Sequence, residues 1–133
     1  MPATANPQTT IEVGKRLVEL CKQGQNRKAI EELYADDAVS IEAMAGGPKG
    51  RETKGKKDLL AGSDWFFENH EIHGGEVDGP YPCDDRFICF MSIDLTAKAG
   101  PMKGQRMQMK EGCLYTVKNG KITRSEFFYD PGC

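Results

Sequence analysis

The side-chain pattern changes at Gly74-Gly75, and this change restricts the possible fold more than any other feature of the chain. Before this pair, apolar residues recur at helical spacing; after it, apolar and polar residues alternate through long runs. Alternation with a period of two is typical of strands that bury one face. Helices in the first half and long strands in the second therefore predict an α+β domain with a bent antiparallel sheet.

Three helices are predicted before this point. The first begins at Thr9 or Thr10, the second is capped by Asn26, and the third spans residues 56–70. Apolar residues share one face in each helix: Ile11, Gly14, Leu17, Val18 and Cys21 in the first, Ile30, Leu33 and Tyr34 in the second, and Leu59, Leu60, Ser63, Phe66 and Phe67 in the third, with Trp65 at its edge. These faces are predicted to cover the sheet.

Five strands are predicted, and the last two form the clearest unit. Asn119-Gly120 separates two alternating runs, which is the strongest hairpin signal in the chain. The predicted strands are residues 38–44, 76–81, 86–98, 105–117 and 122–129. Residues 45–55 are predicted to be a glycine-rich loop.

Length and composition limit the class of protein. The chain has 133 residues, enough for one domain with its own core, and we expect a flexible arm at residues 1–8 before a single domain at 9–133. The net charge of −2 gives no long-range attraction for nucleic acid or an anionic membrane. The five cysteines form no C-x-x-C pair, which favours free thiols in a reducing cytoplasm. A cytoplasmic protein without nucleic-acid or membrane partners is expected.

Glu111 is the strongest candidate for chemistry. It shares one face of its predicted strand with Met109, Cys113 and Tyr115. A carboxylate in an apolar row is poorly solvated, which raises its pKa and favours the neutral acid. A neutral acid can donate a hydrogen bond to a developing oxyanion. The alternative is a glutamate at a pocket rim or an interface, held by an arginine or lysine.

Glu42 is the second candidate. It follows Asp36-Asp37-Ala38 on a short strand, where a carboxylate could remove a proton next to a substrate carbonyl. However, Glu42 shares the polar side of its strand with Ser40, opposite Val39 and Ile41. Exposure to solvent is therefore the open alternative.

Other polar groups have simpler explanations. Asp94 lies in a polar row with Ser92 and Thr96, which indicates a solvated strand face unless the sheet bends this row into a pocket. His70 and His73 have no third ligand near them in sequence, so a surface or helix-capping role is expected and no metal site. The basic segment formed by Lys49, Arg51, Lys54, Lys56 and Lys57 is predicted to be a solvated loop.

The order of these elements resembles the nuclear transport factor 2-like superfamily. The resemblance rests on the corner Tyr34-Ala35-Asp36-Asp37-Ala38 and on the hairpin Asn119-Gly120-Lys121-Ile122, and it extends from Thr9 to Asp130. The nearest branch is the group of SnoaL-like and ketosteroid-isomerase-like proteins. It implies a cone-shaped, cystatin-like fold, in which three N-terminal helices lie against a strongly bent mixed or antiparallel sheet and a ligand pocket opens at the mouth.

The resemblance also implies site residues, with departures. Glu42 falls near the general base of the isomerases, where it replaces an aspartate, and Glu111 falls near their oxyanion-hole acid. Their oxyanion tyrosine falls at Leu17, so Tyr115 or Tyr129 would have to supply a phenol. In the cyclases the working aspartate falls at Phe127 and a nearby histidine at Ser125, while the arginine and aspartate of the epoxide hydrolases fall at Ser92 and Asp94. No activity of the group has its full set of residues here.

The resulting expectation is a small-molecule-binding protein with an apolar pocket for a carbonyl-bearing or ring-containing ligand. Its chemistry would be cofactor-free acid–base isomerisation or cyclisation, with Glu42 as base and Glu111 as acid; the alternative is a non-catalytic ligand-binding or dimerisation module. The predicted ligand-binding residues are Ser40, Trp65, Phe66, Phe90, Ser92, Asp94, Met109, Cys113, Tyr115, Phe127 and Tyr129. A homodimer is expected through the outer sheet face, where Ile122 and Phe128 alternate with Arg124 and Glu126.

Overall fold

Three helices and six strands make up the part of the chain that the structure, a computed structural model, describes: residues 7–44 and 50–129. In chain order they are α1 (Pro7–Lys22), α2 (Asn26–Leu33), β1 (Tyr34–Ile41), β2 (Glu52–Lys54), α3 (Lys56–Glu68), β3 (His70–Cys83), β4 (Arg86–Ala97), β5 (Arg106–Lys118) and β6 (Lys121–Phe128). The strands form one sheet in the order β2-β1-β6-β5-β4-β3. The predicted α+β class is confirmed.

The sheet has an inner face that packs on the helices and an outer face turned away from them. Phe87, Cys89, Cys113 and Tyr115 alternate on the inner face and are at most 2% exposed. They form one core with apolar residues of the first two helices, among them Leu17. The sheet is mixed, because β1 and β6 run parallel whereas the other neighbours are antiparallel.

The hairpin between β5 and β6 agrees with the sequence prediction. Asn119 and Gly120 both have positive φ, 53° and 77°, as the tight turn of a two-residue hairpin requires. The register of this hairpin then shifts, because Ile122 pairs with Val117 and Arg124 with Thr116. Thr123 is the extra residue of a bulge, so the alternation reverses beyond it.

This bulge corrects one prediction. Ile122 was expected on the outer face, but it is 0% exposed and belongs to the core. Because the bulge adds one residue, Ile122 and Ser125 both face inward, while Arg124 remains exposed on the outer face. Phe128, at 57% exposure, lies on the outer face as expected.

Three element boundaries differ from prediction. Tyr34 begins β1 instead of ending α2, and β3 begins at His70 instead of residue 76. The short strand β2 lies within the predicted loop, where it pairs antiparallel with the end of β1. Edge strands of this kind carry little apolar signal and are set by their partner strand. Residues 1–6 of the predicted flexible arm and residues 45–49 of the loop lie outside the described residues.

The helices contribute unequally to the core. α1 supplies Val13, Leu17, Val18 and Leu20, each at most 6% exposed. α3 has no buried residue, so Leu59, Leu60, Ser63, Phe66 and Phe67 are only half-buried, contrary to the prediction. α3 also follows β1 and β2 in the chain, so only α1 and α2 are strictly N-terminal. Within the described residues, no helix has the length and apolarity needed to cross a membrane.

The closest contact between a helix and the sheet is at Gly14 of α1. A Cβ built at Gly14 would lie 2.8 Å from Pro80 Cβ and 3.4 Å from a ring carbon of Phe87. The glycine therefore lets the helix axis approach β3 and β4 more closely than any side chain would permit.

We predict that Gly14→Ala lowers the free energy of unfolding by about 1–3 kcal/mol, because the methyl group overpacks the contact between the α1 backbone and the rings of Pro80 and Phe87. Gly62→Ala in α3 is the matched control: nothing lies within 4 Å of its Cβ position, and alanine there should add about 0.5–1 kcal/mol. Urea denaturation of both variants measures the difference. A Gly14→Ala variant as stable as the Gly62→Ala variant would contradict the close-packing argument.

Candidate functional site

At its end, β1 turns a polar side chain inward and apolar side chains outward, the reverse of the usual arrangement. Ala38 and Ser40 face inward and are 0% and 6% exposed, whereas Val39 and Ile41 are half-buried on the outer face. Ser40 pairs with Ser125 of β6, which is 0% exposed. The Ser40 side of this strand therefore points into the fold, and Glu42, two residues beyond Ser40, is half-buried.

Hydrogen bonds hold both the backbone and the side chain of Glu42. Its N–H donates to the Arg51 carbonyl at 2.9 Å, and Arg51 Nε donates to the Glu42 carbonyl at 2.8 Å. These bonds fix its backbone at the end of the β1–β2 pairing. Its carboxylate Oε1 accepts a hydrogen bond from the Tyr129 hydroxyl at 3.4 Å.

Glu111 lies on the inner face of β5, opposite Met91 of β4 and on the same face as Cys113. It is half-buried. Among residues 7–44 and 50–129, no lysine, arginine or histidine forms an ion pair with Glu111 or with Glu42. The described residues therefore give no support to the alternative in which a cation holds Glu111 at a rim.

The two carboxylates influence one another. Burial, followed by the charge of Glu42, raises the pKa of Glu111 to about 7, although a hydrogen bond from Cys113 opposes this. Burial also raises the pKa of Glu42, but hydrogen bonds from Tyr129 and Ser40 stabilise its charged form and oppose the rise. Near neutral pH, Glu42 is therefore the more readily ionised of the two groups, and Glu111 the more readily protonated.

Neutral thiols surround Glu111. Burial, followed by the Glu111 charge, raises the pKa of Cys21 on α1 to about 11, and burial raises that of Cys89 to about 12. The pKa of Cys113 is raised further still, again mainly by burial. All four described cysteines are free. Of these three, Cys89 and Cys113 are buried in the core and Cys21 is half-buried, and their raised pKa values keep them as neutral, apolar thiols and not as nucleophiles.

Six predicted ligand-binding residues lie on the inner side with the carboxylates: Ser40, Met109, Cys113, Tyr115, Phe127 and Tyr129. They differ in accessibility. Tyr115 is 2% exposed, stacks on Phe87 at 4.9 Å and contacts the edge of Phe127, so it belongs to the core. Met109, Phe127 and Tyr129 are half-buried and remain candidates for the wall.

The other five predicted ligand-binding residues lie elsewhere. Phe90, Ser92 and Asp94 are on the outer face, where Asp94 forms a two-bond ion pair with Arg106 at 2.8–2.9 Å. This row therefore remains on the outer face, which agrees with the simpler prediction of a solvated strand face. Trp65 is 59% exposed on α3, and the ring of Phe66 contacts Phe67 and His70. Both residues lie on α3, which buries no side chain fully.

The histidines have structural partners. His70 Nδ1 is 2.8 Å from the carbonyl oxygen of Phe66 in the last turn of α3, and His73 Nε2 is 2.7 Å from Thr96 Oγ1. No group of three metal-ligating side chains occurs within the part of the chain that the structure describes.

Three residues of the interior were missed or misplaced from sequence. Cys21 was predicted only as a core residue of α1, Tyr34 was assigned to α2, and Ser125 was considered only by analogy with a histidine. Tyr34 and Ser125 are adjacent, and burial raises the pKa of the Tyr34 phenol well above its usual value. The Ser125 hydroxyl is buried beside the Tyr34 phenol, which is its neighbour among the described side chains. The alternation of β6 could not locate Ser125, because the bulge at Thr123 is invisible in the pattern.

The chain belongs to the family of SnoaL-like domains, whose family model matches residues 8–129. Its fold matches a crystal structure from Mesorhizobium loti with a TM-score of 0.82 and 47% identity, covering 89% of this chain and 97% of that one. That protein is described provisionally as a SnoaL-like polyketide cyclase and, in the same description, as a carbohydrate phosphatase. The predicted family resemblance is therefore confirmed.

More distant structures show the fold alone. An isomerase described provisionally from Bacillus subtilis has 15% identity and a TM-score of 0.70, with coverage of 93% of this chain and 88% of its own. An epoxide hydrolase of the LEH-like type from Mycobacterium tuberculosis has 16% identity and a TM-score of 0.65, with coverage of 93% and 84%. A comparison with curated proteins finds no match.

We predict that Glu111→Gln stabilises the protein above neutral pH and leaves its stability nearly unchanged in acid. The raised pKa means that folding favours protonated Glu111, so this contribution is present below the unfolded value of 4.5 and is lost as pH rises through about 7. Glutamine stays neutral, so the free energy of unfolding should rise by on the order of 2–3 kcal/mol near pH 8 relative to wild type.

Urea denaturation of the Glu111→Gln variant near pH 4 and near pH 8 measures this difference. Glu12→Gln, at an exposed position on α1, is the control and should show little change at either pH. The same effect of Glu111→Gln at both pH values would contradict a desolvated carboxyl.

Proposed function

We propose that the protein binds a small apolar ligand that carries a carbonyl group and catalyses a cofactor-free proton transfer on it. The observation that carries this proposal is the pair of interior carboxylates, Glu42 and Glu111, which lack a neutralising cation among the described residues and have unequal environments. Perturbed carboxyl groups that face one interior are typical of acid–base sites.

The two carboxylates take different roles. Glu42, whose charged form receives hydrogen bonds from Tyr129 and Ser40, removes a proton from the carbon next to the ligand's carbonyl. Glu111, whose pKa is near 7, is protonated often enough at neutral pH to donate a hydrogen bond to the carbonyl oxygen as negative charge develops there. Return of the proton to another carbon completes an isomerisation or sets up a cyclisation.

The wall supports an apolar, ring-containing ligand. Met91, Met109, Phe127 and the neutral thiols adjoin the carboxylates on the inner side. Such a surface stabilises hydrocarbon by excluding water, and it leaves the two carboxyl groups as the means of orienting a polar group.

A direct test uses β,γ-cyclohexenone as the probe, because its conversion to the conjugated enone requires removal and return of one proton. We expect wild-type protein to accelerate the conversion, followed by ultraviolet absorbance. Glu42→Gln should reduce the rate by about 100-fold or more, and Glu111→Gln by about 10-fold or more.

Asp94→Asn is the matched control, since Asp94 lies on the outer face in an ion pair with Arg106. Its rate should equal that of wild type. Thermal stabilisation by the probe without any conversion in wild type would instead support the alternative of a non-catalytic binding module.

We also propose that the outer face is covered by a second copy of the chain. Five residues form an outer apolar stripe across four adjacent strands: Tyr81, Ile88, Phe90, Leu114 and Phe128. Four of them are 40–57% exposed. Gly112 lies between Phe90 and Phe128 and leaves a groove of about 520 Å³ that an aromatic side chain of a partner can fill.

The charges beside the stripe favour a copy of the same chain as the partner. Arg86 and Arg124 lie at one end of the stripe, where Arg124 pairs with Glu126, and Glu76 and Asp78 lie at the other end beside Lys110. A two-fold rotation that stacks the stripe on itself can bring the basic end of one copy against the acidic end of the other. Contiguous exposed apolar surface of this kind marks an interface.

Phe128→Arg should convert a dimer to a monomer in sedimentation equilibrium, with the dissociation constant raised by about 100-fold or more. Trp65→Arg is the control: Trp65 is just as exposed, at 59%, but it lies on α3. A wild-type protein that remains monomeric at high concentration, or dissociation by Trp65→Arg alone, would contradict this interface.

A further inference from the structure

Tyr129 sits where the ends of two parallel strands meet. β1 and β6 run in the same direction, with Ile41 paired to Glu126. The chain therefore leaves both strands at the same end of the sheet, so that the residues just beyond them, Glu42 and Tyr129, become neighbours although 87 positions separate them. This placement follows from topology and not from a local turn.

The hydrogen bond between the Tyr129 hydroxyl and the Glu42 carboxylate is long, and the tyrosine ring is partly exposed. The Tyr129 hydroxyl donates to Glu42 Oε1 at 3.4 Å, beyond the usual O–H···O range of about 2.5–3.0 Å. The tyrosine is half-buried. Burial and then the charges of Glu42 and Glu111 raise the pKa of its phenol, so the hydroxyl keeps its proton and remains a donor beside both carboxylates.

The other three tyrosines cannot serve at this site. Tyr34 and Tyr115 are 6% and 2% exposed within the core. Tyr81 lies on the outer face and donates to Asp78 at 2.8 Å. Of the two tyrosines that the sequence offered as phenol donors, Tyr115 and Tyr129, only Tyr129 is accessible to a ligand.

We propose that Tyr129 is a further catalytic residue, which holds the Glu42 carboxylate in the ligand-free protein and transfers its hydrogen bond to the carbonyl oxygen of a bound ligand. This inference rests on the proposed function and adds a third group to it. The long bond to Glu42 costs little to break, whereas an oxygen that gains negative charge is the stronger acceptor.

The transfer of this hydrogen bond couples ligand binding to the basicity of Glu42. A donated hydrogen bond stabilises the charged carboxylate and so weakens it as a base. When the phenol turns to the ligand oxygen, Glu42 loses that bond and becomes a stronger base at the moment when a carbon-bound proton is beside it. The same movement places Tyr129 and Glu111 as two donors for the developing oxyanion.

The experiment uses Tyr129→Phe, which keeps the ring and removes only the hydroxyl. Carbon NMR titration of the ligand-free variant should show a higher pKa for Glu42 than in wild type, because the donor is gone. Para-nitrophenol, whose phenolate resembles an enolate, is the binding probe and is followed by absorbance. We expect Tyr129→Phe to weaken its binding by about 10-fold.

Tyr81→Phe is the matched control and should change neither quantity, since its hydroxyl serves Asp78 on the outer face. An unchanged pKa of Glu42 in Tyr129→Phe, or wild-type affinity of that variant for para-nitrophenol while Glu111→Gln binds it more weakly, would overturn the role of Tyr129. The failure of the proposed function gives a different result: Glu42→Gln and Glu111→Gln would then convert β,γ-cyclohexenone as fast as wild type.

Discussion

The parallel pairing of β1 with β6 is the constraint on which the site depends. It joins the first strand of the chain to the last and sets Ser40 beside Ser125 inside the fold. Since both strands end at the same edge, it also carries Glu42 and Tyr129 to the same place as the carboxylate on β5. An antiparallel pairing would direct one of these side chains to the opposite end of the sheet, and no interior pair of acids with a shared donor would exist.

This arrangement places polar side chains where apolar side chains would stabilise the folded protein more. Two half-buried carboxylates without cations among the described residues oppose folding. The core around Phe87, Leu95 and Tyr115 offsets this cost, and these residues are buried to 2% exposure or less. Polar groups retained at such a cost are typical of functional sites.

The sequence predicted most of the fold because its patterns are local. The Asn119-Gly120 turn and the long alternation of β4 and β5 each depend on neighbours a few positions away. Glu111 was located on the inner face for the same reason, since Cys113 and Tyr115 share its strand. Glu42 could not be placed in this way: on β1 the polar side faces inward and the apolar side outward, so the usual inference from alternation fails. That inversion becomes clear only when both faces of the sheet are known.

Other differences came from interactions between distant segments. The bulge at Thr123 moved Ile122 into the core, and β2 exists because β1 offers it a free edge. The apolar residues of α3 were predicted to be buried by their spacing alone, yet that helix covers the sheet only partly. Phe90 was counted with the pocket because it is aromatic, although its neighbours across the strands place it on the outer face.

The contrast between α1 and α3 has a consequence for how proteins of this fold diverge. α1 is fixed, because Gly14 already touches Pro80 and the helix supplies much of the core. α3 has no fully buried residue, so substitutions along it disturb little of the packing that keeps the chain folded. Proteins of this fold can therefore accumulate sequence changes along α3, while α1 and the sheet residues that it covers keep their positions.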